Sequence, residues 1–187
     1  MKFCTNCGAP LIQAIPPGDD RLRLVCTLCA KVHYQSPRVL VTCLATWQGK
    51  ALWMRRATPP QEGFWSVPGG YKEAGESLRQ AAARELREET CVELDEKDMV
   101  LYGVGSLLHI DQIYVSFRAE LKTPEFSITA EASELALFNQ DDLPWGELAY
   151  PELVPSISNF YRELKTGQFG IYMGEYAPEN TYLEDMS

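Results

Sequence analysis

Three glutamates, Glu85, Glu88 and Glu89, crowd one end of the segment GYKEAGESLRQAAARELREETCV, residues 70–92. Positions three and four apart share a face of a helix, so Glu85 would lie beside both of the others, and like charges at that spacing repel. A divalent cation among the carboxylates would relieve the crowding. Hard cations such as Mg²⁺ take oxygen ligands, keep several waters and bridge a carboxylate to substrate phosphates. Just upstream, Pro68-Gly69-Gly70 offers backbone without Cβ atoms, where a carbonyl can come close to a ligand. Taken alone, the segment reads equally as an Arg/Glu-rich surface helix whose Arg84 and Arg87 balance its charge.

A second set of candidate ligands lies near the N-terminus, in Cys4-Thr-Asn-Cys7 and Cys26-Thr-Leu-Cys29. Each pair can present two thiolates to one side of a tetrahedral ion, and the turn-forming run Pro16-Pro17-Gly18-Asp19-Asp20 lets the second pair swing round to the first. This is the pattern of a zinc ribbon with four cysteine ligands. Four protein ligands leave no open position, so the Zn²⁺ is expected to be structural, supplying folding energy to a segment too short to bury a core of its own. The plainer alternative is that these are small buried residues or a redox pair. Cys43 and Cys91 stand in apolar surroundings and read as core.

Other classes are disfavoured by composition. The 187 residues, 45% hydrophobic, suffice for one packed domain and a small appendage. With 26 acidic against 17 basic residues the formal charge is -9, so general nucleic-acid binding is unlikely and a phosphate-bearing substrate would need a metal cation. The sequence has neither an apolar run of signal-peptide length nor the roughly 18 uninterrupted apolar residues of a membrane span, and a cytoplasmic protein with no membrane partner is expected. In a reducing compartment, spaced cysteine pairs bind metal more often than they form disulfides.

The elements that would position these groups follow from pattern. Residues 39–47 are β-branched and almost continuously apolar, and Gln48-Gly49-Lys50 turns them into a hairpin with Ala51-Leu52-Trp53-Met54. Residues 55–70 hold three prolines and three glycines and read as loop, apart from an extended piece near Phe64-Trp65-Ser66-Val67. Residues 77–90 lack Gly and Pro and form the most secure helix, with Leu78, Ala82 and Leu86 as its core-facing stripe. Strands are expected at 101–108, 113–121 and 133–139, and a second helix at 151–165 with Leu153, Ile157, Phe160, Tyr161 and Leu164 on its apolar face. Residues 166–187 show no period and are left as a tail that either frays or packs on a partner. The domain limits are 1–35 for the ribbon, 36–165 for the main domain and 166–187 for the tail.

The segment 70–92 resembles the signature of the Nudix hydrolases, G-x5-E-x7-R-E-U-x-E-E-x-G-U with U bulky and aliphatic. Gly70, Glu76, Arg84, Glu85, Leu86, Glu88, Glu89 and Val92 fall in register, and one position departs, Cys91 standing where the pattern has the glycine that helps the helix end. The resemblance implies an α/β fold, an α/β/α sandwich around a mixed sheet preceded by the ribbon. It also implies metal-dependent hydrolysis of the pyrophosphate in a nucleoside diphosphate linked to a second group, with Mg²⁺ or Mn²⁺ as cofactor. By the family's pattern Glu85 and Glu89 are the principal metal ligands, and Glu88 is a further ligand or the base. Arg84 holds a glutamate in place, Glu76 braces the loop before the helix, and Gly70 or Gly69 lends a carbonyl.

A ribbon ahead of such a domain is similar to the NADH pyrophosphatases and to the FAD or ADP-ribose pyrophosphatases. That likeness implies a nucleotide contact for Tyr34, a further metal ligand in Glu131, and a homodimer. Tyr34 could instead be a core tyrosine, and Glu131 a surface charge. The NADH group's S-Q-P-W-P-F-P-x-S is missing. His109-Ile110-Asp111-Gln112-Ile113-Tyr114, Leu143-Pro144-Trp145 and Leu148-Ala149-Tyr150 are nearer the FAD and ADP-ribose type. His109 could touch substrate or be a hydrogen-bonded strand-end residue. Tyr34, Phe64 and Trp65 are available to stack on adenine, though each could equally fill core. The expected reaction is cleavage of FAD, ADP-ribose or NAD(H) with release of AMP; the alternatives are a non-hydrolytic nucleotide-binding regulator and an enzyme that removes unwanted nucleoside triphosphates.

Overall fold

The computed structural model describes residues 1–178 and 180–187, which divide into two compact units, Met1–Pro37 and Arg38–Ser187. The first unit is a small antiparallel sheet of β1 (Leu11–Ala14), β2 (Arg23–Cys26) and β3 (Val32–His33). Its cysteine pairs lie in the turns flanking these strands, and its only fully buried hydrophobic residues among those described are Cys4 and Cys26. A unit with so little apolar interior would need a bound metal for stability.

The second unit is built on one mixed sheet. Its strands are β4 (Arg38–Trp47), β5 (Lys50–Arg56), β6 (Trp65–Ser66), β7 (Gly69–Tyr71), β8 (Val100–Leu107), β9 (Gln112–Glu120), β10 (Ala132–Phe138), β11 (Tyr172–Tyr176) and β12 (Tyr182–Asp185). The order across the sheet is β10-β5-β4-β9-β8-β11-β12, with β6 beside β5 and β7 beside β4. The pairs β4/β9 and β8/β11 are parallel, and the remaining pairs are antiparallel.

Successive strand residues face opposite sides, and this sorts the core into two layers. Val41, Cys43 and Ala45 of β4 pack with Val115 and Phe117 of β9 against Ala81, Ala82 and Leu86 of helix α1 (Leu78–Thr90). On the other side Leu44, Trp53, Tyr102 and Tyr114 pack against Leu153, Ile157, Phe160 and Tyr161, around helix α2 (Val154–Thr166). The result is an α/β/α sandwich. Among the described residues no helix is long and apolar enough to cross a membrane.

Four expectations change. Cys91, read as core, is exposed at the end of α1, whereas Cys43 is buried. Leu78 is exposed, and Ala81, not Leu78, begins the buried stripe of α1, because Ser77 caps the helix and the first turn lies outside the core. The extended backbone around Pro68 continues into a short strand at Gly69–Tyr71 that pairs with β4. The segment left as a tail, to fray or to pack on a partner, instead supplies two strands that complete the sheet, β11 lying parallel to β8 and β12 antiparallel to β11. Glu163 of α2 anchors them: its buried carboxylate accepts from Tyr102 Oη at 2.8 Å, from the Gly170 amide at 2.9 Å and from the Tyr172 hydroxyl. A buried carboxylate supplied with three donors is stable, whereas the same group without them would cost several kcal/mol.

Candidate active site

Helix α1 starts at a reciprocal cap: Ser77 Oγ accepts from the Gln80 amide at 3.1 Å, and Gln80 Oε1 accepts from the Ser77 amide at 2.8 Å. It stops at Cys91, which adopts the left-handed conformation (φ 60°, ψ 10°) and donates its amide to the Arg87 carbonyl at 2.8 Å. The departure from glycine therefore leaves the cap formed. It places a side chain where glycine is favoured, at a cost of about 1 kcal/mol.

Between these ends, Arg84 organises the acidic face. Its Nε and Nη2 form a fork on Glu76 at 3.0 and 2.9 Å, Nη2 also donates to the Tyr71 carbonyl at 3.0 Å, and Nη1 reaches Glu85 at 2.8 Å and Glu88 at 2.9 Å. All five guanidinium N–H groups thus have acceptors. The same ion pair holds the Glu76 carboxyl down at about 2.

The three glutamates of the helix differ in environment. Glu88 is about half exposed, whereas Glu85 is largely covered and Glu89 is buried at 4% exposure. Glu89 accepts the Gly69 amide at 2.7 Å. Burial pushes the Glu89 carboxyl up to about 8, the Gly69 amide opposes this, and the charges of Glu85 and Glu131 add to it. Glu85 is likewise raised by burial, against the pull of Arg84. Glu131 is exposed, on a turn tied to α1 by Thr129 Oγ1 donating to the Glu89 carbonyl at 3.2 Å.

The two glycines of β7 make this packing possible. A Cβ on Gly70 would stand 2.5 Å from Glu85 Oε2, so the carboxylate occupies the space that a side chain would take. A Cβ on Gly69 would stand 2.2 Å from the Val41 carbonyl of the neighbouring strand. Oxygen donors alone, under-neutralised and partly buried, suit a hard divalent cation, and Glu85, Glu88, Glu89 and Glu131 with the Gly70 carbonyl are the residues that would hold it.

The four thiols of the first unit fit zinc. Cys4, Cys7, Cys26 and Cys29 place their sulfurs within 4.8 Å of one another, with Cys4 to Cys29 at 3.7 Å, Cys7 to Cys26 at 3.4 Å and Cys7 to Cys29 at 3.5 Å. Tetrahedral ligation at about 2.3 Å calls for sulfur separations of about 3.8 Å. The amides of Leu28 and Cys29 point at Cys26 Sγ, both at 3.4 Å, and draw that thiol down to about 6, favouring the thiolate that binds metal. Among the described residues these cysteines are the one group of metal-binding side chains that converges so closely; Glu85 and Glu88 are instead drawn to Arg84.

The aromatic candidates separate. Trp65 is a core residue at 4% exposure, its ring 4.9 Å edge-on from Phe138. Phe64 is 41% exposed beside the end of β5, where its carbonyl accepts the Arg56 amide at 2.9 Å. Tyr34 belongs to the first unit, exposed, with the Arg23 guanidinium 5.3 Å from its ring centre. His109 Nε2 lies 3.7 Å from Glu152.

Of two groups near the glutamates, one escaped the sequence reading, Arg56, and the other, Tyr150, entered it only as part of Leu148-Ala149-Tyr150. Arg56, at the end of β5, and Tyr150 are near enough to Glu89 for the charges to act on one another. The visible signal was the pair Arg55-Arg56 ending an apolar strand.

A capped helix whose saturated arginine aligns glutamates over a glycine strand, inside an α/β/α sandwich, defines an acidic site of the class suited to a divalent cation. Residues 36–164 match the family described as NUDIX domain, and residues 2–35 match the one described as Nudix N-terminal. The chain belongs to the Nudix family. A solved Nudix hydrolase from Nitrosomonas europaea is 38% identical, with a TM-score of 0.87 over 94% of this chain and 98% of that one. The NAD-capped RNA hydrolase NudC of Photobacterium profundum is 30% identical over 83% of this chain and 53% of its own length. The ADP-ribose pyrophosphatase of Methanocaldococcus jannaschii is 31% identical over 59% of this chain and 67% of its own. The chain thus spans about half the length of the NudC relatives it matches.

Proposed function

We propose that this protein hydrolyses the pyrophosphate bond of a dinucleotide-type substrate, FAD, ADP-ribose or NAD(H), and releases AMP. The observation that carries this is the connected set of Gly70, Glu76, Arg84, Glu85, Glu88 and Glu89, folded so that Arg84 fixes Glu85 and Glu88 while Glu89 is buried against Gly69. When bound, Mg²⁺ or Mn²⁺ would acidify a water and neutralise the diphosphate. Glu85 and Glu89 would hold the cation, with Glu88 and Glu131 as further ligands, and Glu88, the most exposed of the helical three, is placed to take a proton from the attacking water. Glu76 acts indirectly, by holding Arg84.

The substrate class draws on the relatives, whose names include an ADP-ribose pyrophosphatase and NAD-capped RNA hydrolases. ADP-ribose and NAD each carry a diphosphate flanked by two riboses. The net charge of -9 favours the free dinucleotide over an RNA end.

Incubation of the purified protein and Mg²⁺ or Mn²⁺ with ADP-ribose, FAD, NADH, NAD-capped RNA and 8-oxo-dGTP tests the reading. AMP is expected from at least one of the first three, and Glu89→Gln abolishes its release without unfolding the protein. Cleavage of 8-oxo-dGTP alone, or tight binding with no turnover, would overturn it in favour of a triphosphate-removing enzyme or a regulator. Sedimentation of the same preparation tests the homodimer.

A further inference from the structure

The four sulfurs of the first unit differ in how their charge is met. Cys4 and Cys26 are buried, at 5% and 3% exposure, whereas Cys7 and Cys29 are exposed. Four thiolates outweigh the charge of one Zn²⁺, so each sulfur keeps negative charge that calls for a donor. An exposed sulfur can take that donor from water, but a buried one depends on protein N–H groups. Cys26 Sγ has two, the amides of Leu28 and Cys29, both at 3.4 Å. Cys4 Sγ also has two neighbours of this kind: the Asn6 amide, which donates at 3.4 Å, and a side chain, His33, whose Nε2 lies 3.3 Å away.

His33 is placed as a neighbour of a ligand and not as a fifth ligand. Its ring nitrogen approaches Cys4, and among the described residues the set of mutually close metal-binding atoms comprises the four cysteines without it. Four sulfurs already complete a tetrahedron. The ring reaches Cys4 from the other half of the ribbon. Cys4 precedes β1, whereas His33 ends β3, which follows the Cys26–Cys29 turn and is held to β2 by the pairing of His33 with Leu24 and of Val32 with Val25. Asn6 makes the reverse crossing, its Nδ2 donating to Cys29 Sγ at 3.8 Å. Each cysteine pair therefore has a side-chain donor supplied by the half of the ribbon that carries the other pair.

A metal-bound thiolate carries no proton and can only accept, so the hydrogen of this contact belongs to the ring. A hydrogen bond to a charged sulfur draws off charge that would otherwise repel the other three, and it holds the sulfur where ligation needs it. We infer that His33 is an outer-shell zinc residue: its Nε2–H donates to Cys4 Sγ and raises the affinity of the four-cysteine site for Zn²⁺ without binding the ion. It is a positioning residue for the metal, and its loss leaves a buried thiolate with one donor in place of two. The inference rests on Zn²⁺ filling the cysteine set and is independent of the pyrophosphatase reading.

The test uses the full chain as wild type, His33→Phe and His33→Gln. Each is loaded with Zn²⁺, its metal content is measured and the ion is withdrawn by a chromophoric chelator; the same proteins are loaded with Co²⁺ for absorption spectra. Phenylalanine keeps a ring and loses the donor, whereas glutamine keeps an N–H. His33→Phe is expected to bind Zn²⁺ about 10- to 100-fold more weakly, and its thiolate-to-Co²⁺ charge-transfer band to move to lower energy, because a sulfur relieved of its hydrogen bond gives up an electron more readily. His33→Gln recovers part of both. Equal affinity of wild type and His33→Phe overturns the assignment. So does equal loss in both variants with the band unmoved, the mark of a packing role, or a change from mixed nitrogen and sulfur to all-sulfur d–d bands on replacing His33, the mark of a ligand. If His33→Phe does not fold in Zn²⁺, the ring-nitrogen NMR shifts of zinc-loaded wild type decide: hydrogen on Nε2 supports the bond, and hydrogen on Nδ1 alone overturns it. Wild type that takes up no Zn²⁺ removes the zinc reading together with the role of His33. Wild type that binds Zn²⁺ no better than His33→Phe removes the role and leaves the zinc.

Discussion

Gly70→Ala separates catalysis from folding at one methyl group. Gly70 lies outside the positive-φ residues, so alanine meets no backbone penalty there. The new Cβ would instead stand 2.5 Å from Glu85 Oε2, 2.6 Å from Cδ and 2.7 Å from Oε1. Ordinary contact requires the carboxylate to retreat by most of an ångström. It is the far end of a flexible side chain, so the fold can yield cheaply: we expect a stability loss of about 1 kcal/mol, at the low end for overpacking. Its 2.8 Å bond from Arg84 does not survive that retreat, and if Glu85 is a metal ligand as proposed, a displacement of about 1 Å costs roughly 100-fold in turnover. Gly69→Ala is the control. Its Cβ meets the Val41 carbonyl at 2.2 Å, on a backbone that cannot move without opening the sheet, so it should lose about 3 kcal/mol or fail to fold. The assay is Mg²⁺-dependent AMP release beside thermal melting of the same samples. Near-normal turnover in Gly70→Ala would refute the claim that the glycine exists to make room for Glu85.

Two further outcomes are specific to this chain. Because burial raises Glu89 from an ordinary 4.5 to about 8, between those values the folded state binds a proton that the unfolded state has released, and stability in EDTA should fall as pH rises through that window. Mg²⁺ should restore the melting temperature most at the alkaline end, and Glu89→Gln should flatten the slope; a slope unchanged in that variant would mean another group titrates. Cys91→Gly, which replaces a left-handed cysteine by the residue suited to φ 60°, should gain about 0.5–1 kcal/mol in denaturant melts with AMP release unchanged.

What could be read from sequence follows the range of the interactions. Helix α1 and its charged face are local, set by residue spacing within four positions, and the thiol pairs need only a tetrahedral ion to bring them together. Strand β11 could not be seen this way. It is five residues, its partner β8 lies some seventy positions back, and Gly174 interrupts its alternation because the Tyr176 ring fills the space there and over Gly105. Trp65 illustrates the limit for binding residues. An aromatic beside a glycine-rich loop suits stacking and core alike, and only the packing against Phe138 and Leu148 decides for the core.

Three positions of the signature, Gly70, Glu76 and Arg84, can be understood through one carboxylate. Gly70 vacates the volume that Glu85 fills, Arg84 orients Glu85 by a hydrogen bond, and Glu76 takes the Arg84 fork from the first side so that one nitrogen remains for Glu85 and Glu88. The Tyr71 carbonyl takes the last donor and ties the arginine to β7, the strand that contains Gly70. Loosening any of these frees Glu85 to relax toward water, because burial already disfavours its charged form. Arg84 with its donors saturated has none left for a phosphate, so cation recognition and phosphate recognition must rest on different residues.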